Sequence, residues 1–234
     1  VIPGVLPRKV AKGTKNFAKE PAMTEEEVLK AIETGIQLVQ QCHREGYEIL
    51  ATGEMGIGNT TTSTAVAAAL LDLEVEQVTG KGAGLTDEAL KRKCRVIKEA
   101  IEKYSLRDAD AFTILKTVGG LDIAGLTGVF IGAAIEQIPV VIDGVISAVA
   151  ALLAETLCKG AVNYMIPSHK SRELAETAIM KKLHLDPVLD ADMALGEGTG
   201  AVMMMSLLDV ALGVYLQGAS FANFEIEQYK RYEE

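Results

Sequence analysis

Two short stretches set a carboxylate among glycines, and they are where chemistry is to be sought. One is Gly53-Glu54-Met55-Gly56-Ile57-Gly58-Asn59-Thr60; the other is Gly196-Glu197-Gly198-Thr199-Gly200. Each precedes a segment that reads as a helix. Glycines before a helix let main-chain N–H groups approach an anion at the positive end of the helix dipole. A carboxylate in the same loop would repel a phosphate, so the loop has to serve an anion and a second group. Two carboxylates beside an anion site suit reaction at a cationic centre, one as general base and one as a stabiliser of developing positive charge. The plainer reading is a first-turn glutamate that complements the dipole. That role needs no flanking glycines, whereas backbone access for a ligand does. No Gly-Lys-Ser/Thr follows either loop, and neither fits GxGxxG with an acidic residue at the next strand end. ATP and NAD sites are therefore weakly supported.

The elements needed to position these loops are visible in the pattern. Thr24 and Glu27 form a capping box ahead of a helix carrying Val28, Ala31, Ile32, Gly35, Ile36, Val39 and Cys42, ending near Gly46. A strand over 48–52 leads into the first glycine loop, and a helix runs from about Thr60 to Leu71. A second glycine loop, Lys81 to Gly84, precedes a helix over about 87–104 capped by Thr86 or Asp87. Its many cations read as a solvated face from which one lysine could turn inward to a phosphate. Residues 108–117 read as a helix, and Val118–Gly128 as a third glycine-rich stretch leading into 129–137. Pro139–Asp143 is a buried type of strand ending in Asp143-Gly144, with a helix from Ser147 to about Cys158. Val162–Ser171 is a further strand and loop before a helix over 172–183. Ser168 and Ser171 there are caps or anion ligands. His169 has no spaced partner for a metal or a triad, and His43 and His184 sit at helix ends as dipole partners. Val202–Leu216 is an apolar helix whose methionines read as core. Phe221–Glu234 is an amphipathic, charged tail.

Alternating strand, loop and helix implies an α/β fold, a Rossmann-like parallel sheet with helices on both faces, with ligands off the carboxyl ends of the strands. Residues 1–46 form an N-terminal crossing segment and helix, 47–206 the parallel α/β domain with the active-site loops, and 207–234 a C-terminal helical segment. The proline- and lysine-rich start, 1–22, reads as an exposed connection rather than a cover over a site. No internal repeat is evident.

Bulk properties narrow the function. The chain has 234 residues, 49% of them hydrophobic, and a net charge of −9. That acidity, without a basic stripe, argues against nucleic acid as a partner. Cys42, Cys94 and Cys158 show no metal or redox spacing and read as free buried thiols of a reducing compartment. No apolar run is expected to reach a membrane span, and Val1-Ile2-Pro3-Gly4 lacks a signal-peptide pattern. A cytoplasmic protein with no membrane partner is expected.

Taken together, Gly53–Thr61, Gly82–Leu85, Val118–Ala124, Val141–Gly144, Ser168–Ser171 and Leu195–Ala201 closely resemble the nicotinate-nucleotide–dimethylbenzimidazole phosphoribosyltransferases of cobalamin synthesis. The resemblance runs in order over essentially the whole chain. It implies transfer of the 5-phosphoribosyl group of nicotinate mononucleotide to 5,6-dimethylbenzimidazole, with inversion at C1′, giving α-ribazole 5′-phosphate and nicotinate. It implies that Glu197 is the base and Glu54 the second active-site glutamate. Gly56, Ile57, Gly58, Asn59 and Thr60 would hold the 5′-phosphate, with Lys93, Gly144 and Ser171 completing the phosphate and nicotinate contacts. Leu195 would line the aromatic-base pocket. No metal, no cofactor and a homodimer are implied. Family chains carry an N-terminal portion, roughly a third of their length, before the equivalent of Val1, so what is present includes a remnant of a small helical domain. A chain that only binds the nucleotide, without turnover, is the alternative.

Overall fold

Thr24 starts the first helix as its spacing predicts. Its hydroxyl accepts the N–H of Glu27 at 3.2 Å, and the Glu27 carboxylate accepts the N–H of Thr24 at 2.8 Å. The helix, α1 (Glu25–Arg44), buries Val28, Ala31, Gly35 and Val39. In the computed structural model, which describes residues 4–82, 84–219 and 223, there follow β1 (Leu50–Ala51), α2 (Asn59–Leu71), α3 (Val75–Val78), α4 (Asp87–Lys103), α5 (Ala111–Val118) and α6 (Leu121–Glu136). The chain continues through β2 (Val140–Ile142), α7 (Val145–Leu157), β3 (Met165–Pro167), β4 (His169–Ser171), α8 (Leu174–Leu183), β5 (Leu189–Met193) and α9 (Thr199–Gln217).

β1, β2 and β3 form a parallel sheet in that order, with Leu50 opposite Val140 and Val141 opposite Ile166. β2 is central and fully buried. Its alternation divides the core: Val140 and Ile142 join the main cluster, whereas Val141 packs with Ala201 and Met204 of α9. Helices therefore cover both faces, unequally. On the deep face, α2 after its polar first turns and α7 along its length bury every residue from Ser63 to Ala69 and from Ile146 to Ala154. Short strands suffice because these helices, not the ladder, fill the interior. The strand expected over 48–52 contracts to its two paired residues for the same reason.

β4 and β5 form a second parallel pair, His169 opposite Leu189, with an irregular step before Ser171 and Met193. β5 was not expected. Its five residues, Leu189-Asp190-Ala191-Asp192-Met193, do alternate, but neither face is buried, and Lys170 with Asp190 and Arg172 with Asp192 form exposed ion pairs across to β4.

Four further expectations are corrected. The segment expected over 129–137 begins already at Leu121, so the third glycine-rich stretch beyond Gly120 is the first half of α6. Its glycines let α1 lie against α6 backbone to backbone: a Cβ at Gly128 would overlap the Ile32 carbonyl oxygen, and one at Gly35 the Gly125 carbonyl. The methionines of α9 are not uniformly core, since Met204 is buried while Met203, Val202, Val210, Leu212, Val214 and Leu216 are exposed. α9 is also, among the described residues, long and apolar enough to cross a membrane, against the expectation that no run reaches that length. The three cysteines are free but half-buried rather than buried.

The N-terminal segment is irregular and mostly exposed, as expected, though Phe17, Ala22 and Met23 plug into the core. Main-chain bonds from Ala22 and Met23 to Thr117 and Lys116 fix it against α5. Of the tail 221–234, only Asn223 falls within the described residues.

Candidate active site

The two glutamate loops, 143 residues apart in sequence (Glu54 to Glu197), are neighbours in space. The position of a Cβ at Gly53 lies 2.9 Å from the Gly198 backbone, and one at Gly196 would lie 3.4 Å from the Glu54 carboxylate. The loops end alike: Gly58 before α2 has φ 83° and ψ 1°, and Gly198 before α9 has φ 84° and ψ 3°. Left-handed caps of this kind are open to glycine at little steric cost. Glu197 itself has φ 56°, a region a glutamate rarely occupies, between two glycines that share it. Backbone held in this region concentrates at functional sites.

One buried residue ties both loops to the sheet. Asp143, at the carboxyl end of β2, accepts the N–H of Gly198 at 2.9 Å with one oxygen and that of Ala201 at 3.1 Å with the other. Its own N–H donates to the Thr52 hydroxyl, which donates to the Val141 carbonyl and accepts from Ser147. The end of β1, the end of β2 and the start of α9 are thus one hydrogen-bonded unit. Ser168 extends it, donating to the Asp143 carbonyl and lying 2.9 Å from His169 Nδ1. His169 is buried, and burial holds its imidazole below the usual range against the upward pull of Asp143.

A cavity of about 650 Å³ opens in front of this unit, lined by Glu54, Gly56, Asn59, Thr60, Gly144, Ser171, Leu195 and Glu197 among others. Eight of the eleven residues singled out in the sequence thus share one space. Lys93 reaches its edge from α4, with Nζ 3.1 Å from the Thr60 hydroxyl and 3.2 Å from the Gly80 carbonyl. It is 7% exposed, and burial lowers its ammonium's affinity for the proton, opposed by Glu173. This is the inward lysine of an otherwise solvated face. Ile57 and Gly58 do not line that cavity. They face a separate space of about 370 Å³ on the other side of the loop, shared with Lys12, Thr14 and Asp122.

Glu54 is half-buried, and its carboxyl is raised above the ordinary range, chiefly by desolvation. The Asn59 amide lowers it by hydrogen bonding, while Asp122, Asp143 and Glu197 push it upward. Asn59 bridges, giving hydrogen bonds to both Glu54 and Asp122. The sequence reading missed Thr52, Asp122, Asp143, Glu176 and the exposed Met55 that lines the cavity. Asp143 had a signal, a carboxylate followed by glycine at the end of a buried strand. Glu176 had none, since a first-turn glutamate is ordinary.

Comparison with known proteins agrees with this geometry. The phosphoribosyltransferase family model DBI_PRT matches residues 2–226. The chain belongs to this family. Curated relatives named nicotinate-nucleotide–dimethylbenzimidazole phosphoribosyltransferase include one from Acetivibrio thermocellus, 48% identical over 97% of this chain and 65% of its own length. Another, from Clostridium acetobutylicum, is 48% identical over 97% of this chain and 64% of its own. The chain therefore spans a little under two thirds of these relatives. A crystal structure of CobT from Thermus thermophilus superposes with a TM-score of 0.91 at 37% identity, covering 98% of this chain and 68% of that one. The α/β fold with its parallel sheet is common to both.

Proposed function

We propose that this chain transfers the 5-phosphoribosyl group of nicotinate mononucleotide to 5,6-dimethylbenzimidazole, giving α-ribazole 5′-phosphate and nicotinate in cobalamin nucleotide-loop assembly. The observation that carries the reading is the meeting of the Glu54 and Glu197 loops in one cavity, on either side of a glycine-lined floor. Main-chain N–H groups of Gly56, Asn59 and Thr60, with Lys93, hold the 5′-phosphate at the start of α2, whereas Ile57 and Gly58 face the separate space beyond the loop and take no part. Gly144 and Ser171 complete the contacts to phosphate and nicotinate on the opposite wall. The nicotinate nitrogen is already cationic in the donor. Its bond to C1′ breaks with the electron pair going to the pyridine, and no general acid is needed. A benzimidazole nitrogen forms the new bond to C1′ from the opposite face. The other ring nitrogen then loses its proton to Glu197. Glu54 faces the sugar, where positive charge develops, and stabilises it. Met55 and Leu195, exposed apolar side chains beside the two glutamates, flank the flat acceptor.

In this reading 47–206 is the catalytic unit, α1 braces it against α6, and 207–219 continues α9 outward. The exposed apolar face of α9 supports a homodimer, and the enzyme acts in the cytoplasm without metal or cofactor.

The test is chromatography of nicotinate mononucleotide and dimethylbenzimidazole incubated with the protein. α-Ribazole phosphate is expected, and Glu197→Gln should keep donor affinity while kcat falls at least about a hundredfold. Donor binding without product would support the binding-only alternative. An unchanged kcat in the variant would remove Glu197 from the base role.

A further inference from the structure

Behind the Ser171 wall of the cavity lies a carboxyl that the mechanism above does not use. Glu176, in the first turn of α8, is 2% exposed. One of its oxygens accepts the N–H of Ser171, and the other has no hydrogen-bond partner among the described residues. The same turn is closed by the Ser171 hydroxyl, which accepts the N–H of Glu173 at 3.1 Å. Ser171, Arg172 and Glu173 all line the cavity. Glu176 is thus the buried peg on which this wall hangs.

We propose that Glu176 is a positioning residue that works as a neutral acid, holding the Ser171 main chain toward the donor's phosphate and, when ionised, weakening donor binding by placing a buried negative charge behind that wall. The inference rests on the phosphoribosyl-donor reading above.

The surroundings offer that charge no paired counterion: Lys93 of α4, the buried cation beside this wall, interacts with Glu173 and is hydrogen-bonded to the Thr60 hydroxyl and the Gly80 carbonyl. α2 contributes no charged residue. In α3, Glu76 pairs outward with Lys98. In α7, Glu155 is engaged at the far end by the N–H groups of Gly160 and Val162. On β4, Lys170 pairs with Asp190, and His169 is buried with its proton affinity lowered. Arg172 is engaged by Asp192 on the outer side. The nearest charge that acts on Glu176 is Asp143, of the same sign. Burial accordingly lifts Glu176 to about 7, with Asp143 adding to the rise and Ser171 opposing it.

Calorimetric titration of nicotinate mononucleotide into the wild type and into Glu176→Gln, from pH 6 to pH 8.5, tests the proposal. The wild-type Kd should rise about fivefold more than that of the variant over this range, the effect of one added like charge close to the phosphate. Equal pH slopes with intact binding overturn the role of Glu176 alone. No binding of the nucleotide by either protein at any pH overturns the donor reading and this inference with it. A measurement on the wild type needs no variant: nicotinate riboside, which lacks the phosphate, should show less than half the nucleotide's loss of affinity above pH 7. An equal loss for the two ligands overturns the proposal.

Discussion

Replacing Asp143 with asparagine keeps the shape of the side chain and removes its charge. Asp143 gives one oxygen to the N–H of Gly198 and the other to the N–H of Ala201, at 2.9 and 3.1 Å. An asparagine retains one acceptor and turns an NH2 group toward the remaining N–H, so one buried donor loses its partner in either flip state. A hydrogen bond to a charged group contributes about 1.5–3 kcal/mol, and an orphaned buried donor costs about 1–3 kcal/mol. The two figures overlap in part, which puts the expected loss near 3 kcal/mol. For a chain of this size that corresponds to about 6–12 °C in Tm. Differential scanning calorimetry of D143N beside D190N supplies the comparison, because Asp190 is exposed and pairs only with Lys170 across 3.3 Å. The D190N change should stay within about 2 °C, as exposed pairs contribute little. The functional loss should exceed the loss of stability. Freed of its anchor, the Glu197 loop shifts, and misplacement of a catalytic group by about 1 Å costs about a hundredfold in rate. A Tm within about 2 °C of wild type, or an unchanged kcat, would refute the argument that Asp143 joins the two loops.

Two other outcomes follow from the packing and the buried acid. Gly128→Ala should destabilise by about 3 kcal/mol, because its methyl meets the Ile32 carbonyl and α1 and α6 must part; Gly213→Ala, with open space around it on α9, should be neutral or stabilising by up to about 1 kcal/mol in the same urea titration. Glu176, held near 7 in the fold against 4.5 for a free carboxyl, favours the folded state fully below pH 4.5 and loses that contribution as pH rises through 7, about 3 kcal/mol in all. Glu176→Gln should therefore flatten the fall in stability between pH 5 and pH 8, and an unaltered slope would place the proton elsewhere.

Much of this was legible in the chain because it is local. The Thr24 capping box and the helix after Gly58 both follow from signals within a few residues, whereas only the resemblance singled out Lys93 from the other cations of its helix. The glycine-flanked glutamates announced themselves for the same reason. Their juxtaposition did not, because it depends on Asp143 bridging three elements that sequence separates widely. The glycines of α6 do allow close packing, but against the backbone of α1, a partner far away in sequence. β5 was hidden because it is short and buries neither face, so its alternation of apolar and acidic residues marks no core. The exposure of α9 was equally invisible, since apolar composition does not say whether a covering surface is present.

The unequal faces of the sheet give the two glutamates unequal mountings. Glu54 leads into α2, whose Ser63–Ala69 are all buried, so the helix that carries its loop is fixed in the core. Glu197 leads into α9, which touches the sheet through Ala201 and Met204 near its start and then runs outward. Local opening is least costly where few apolar contacts hold a segment down. In the proposed mechanism the donor is therefore held from the stiffer support, and the proton acceptor rides on the compliant one. A base on a compliant support can swing aside for the flat acceptor to enter and product to leave, without loosening the grip on the phosphate.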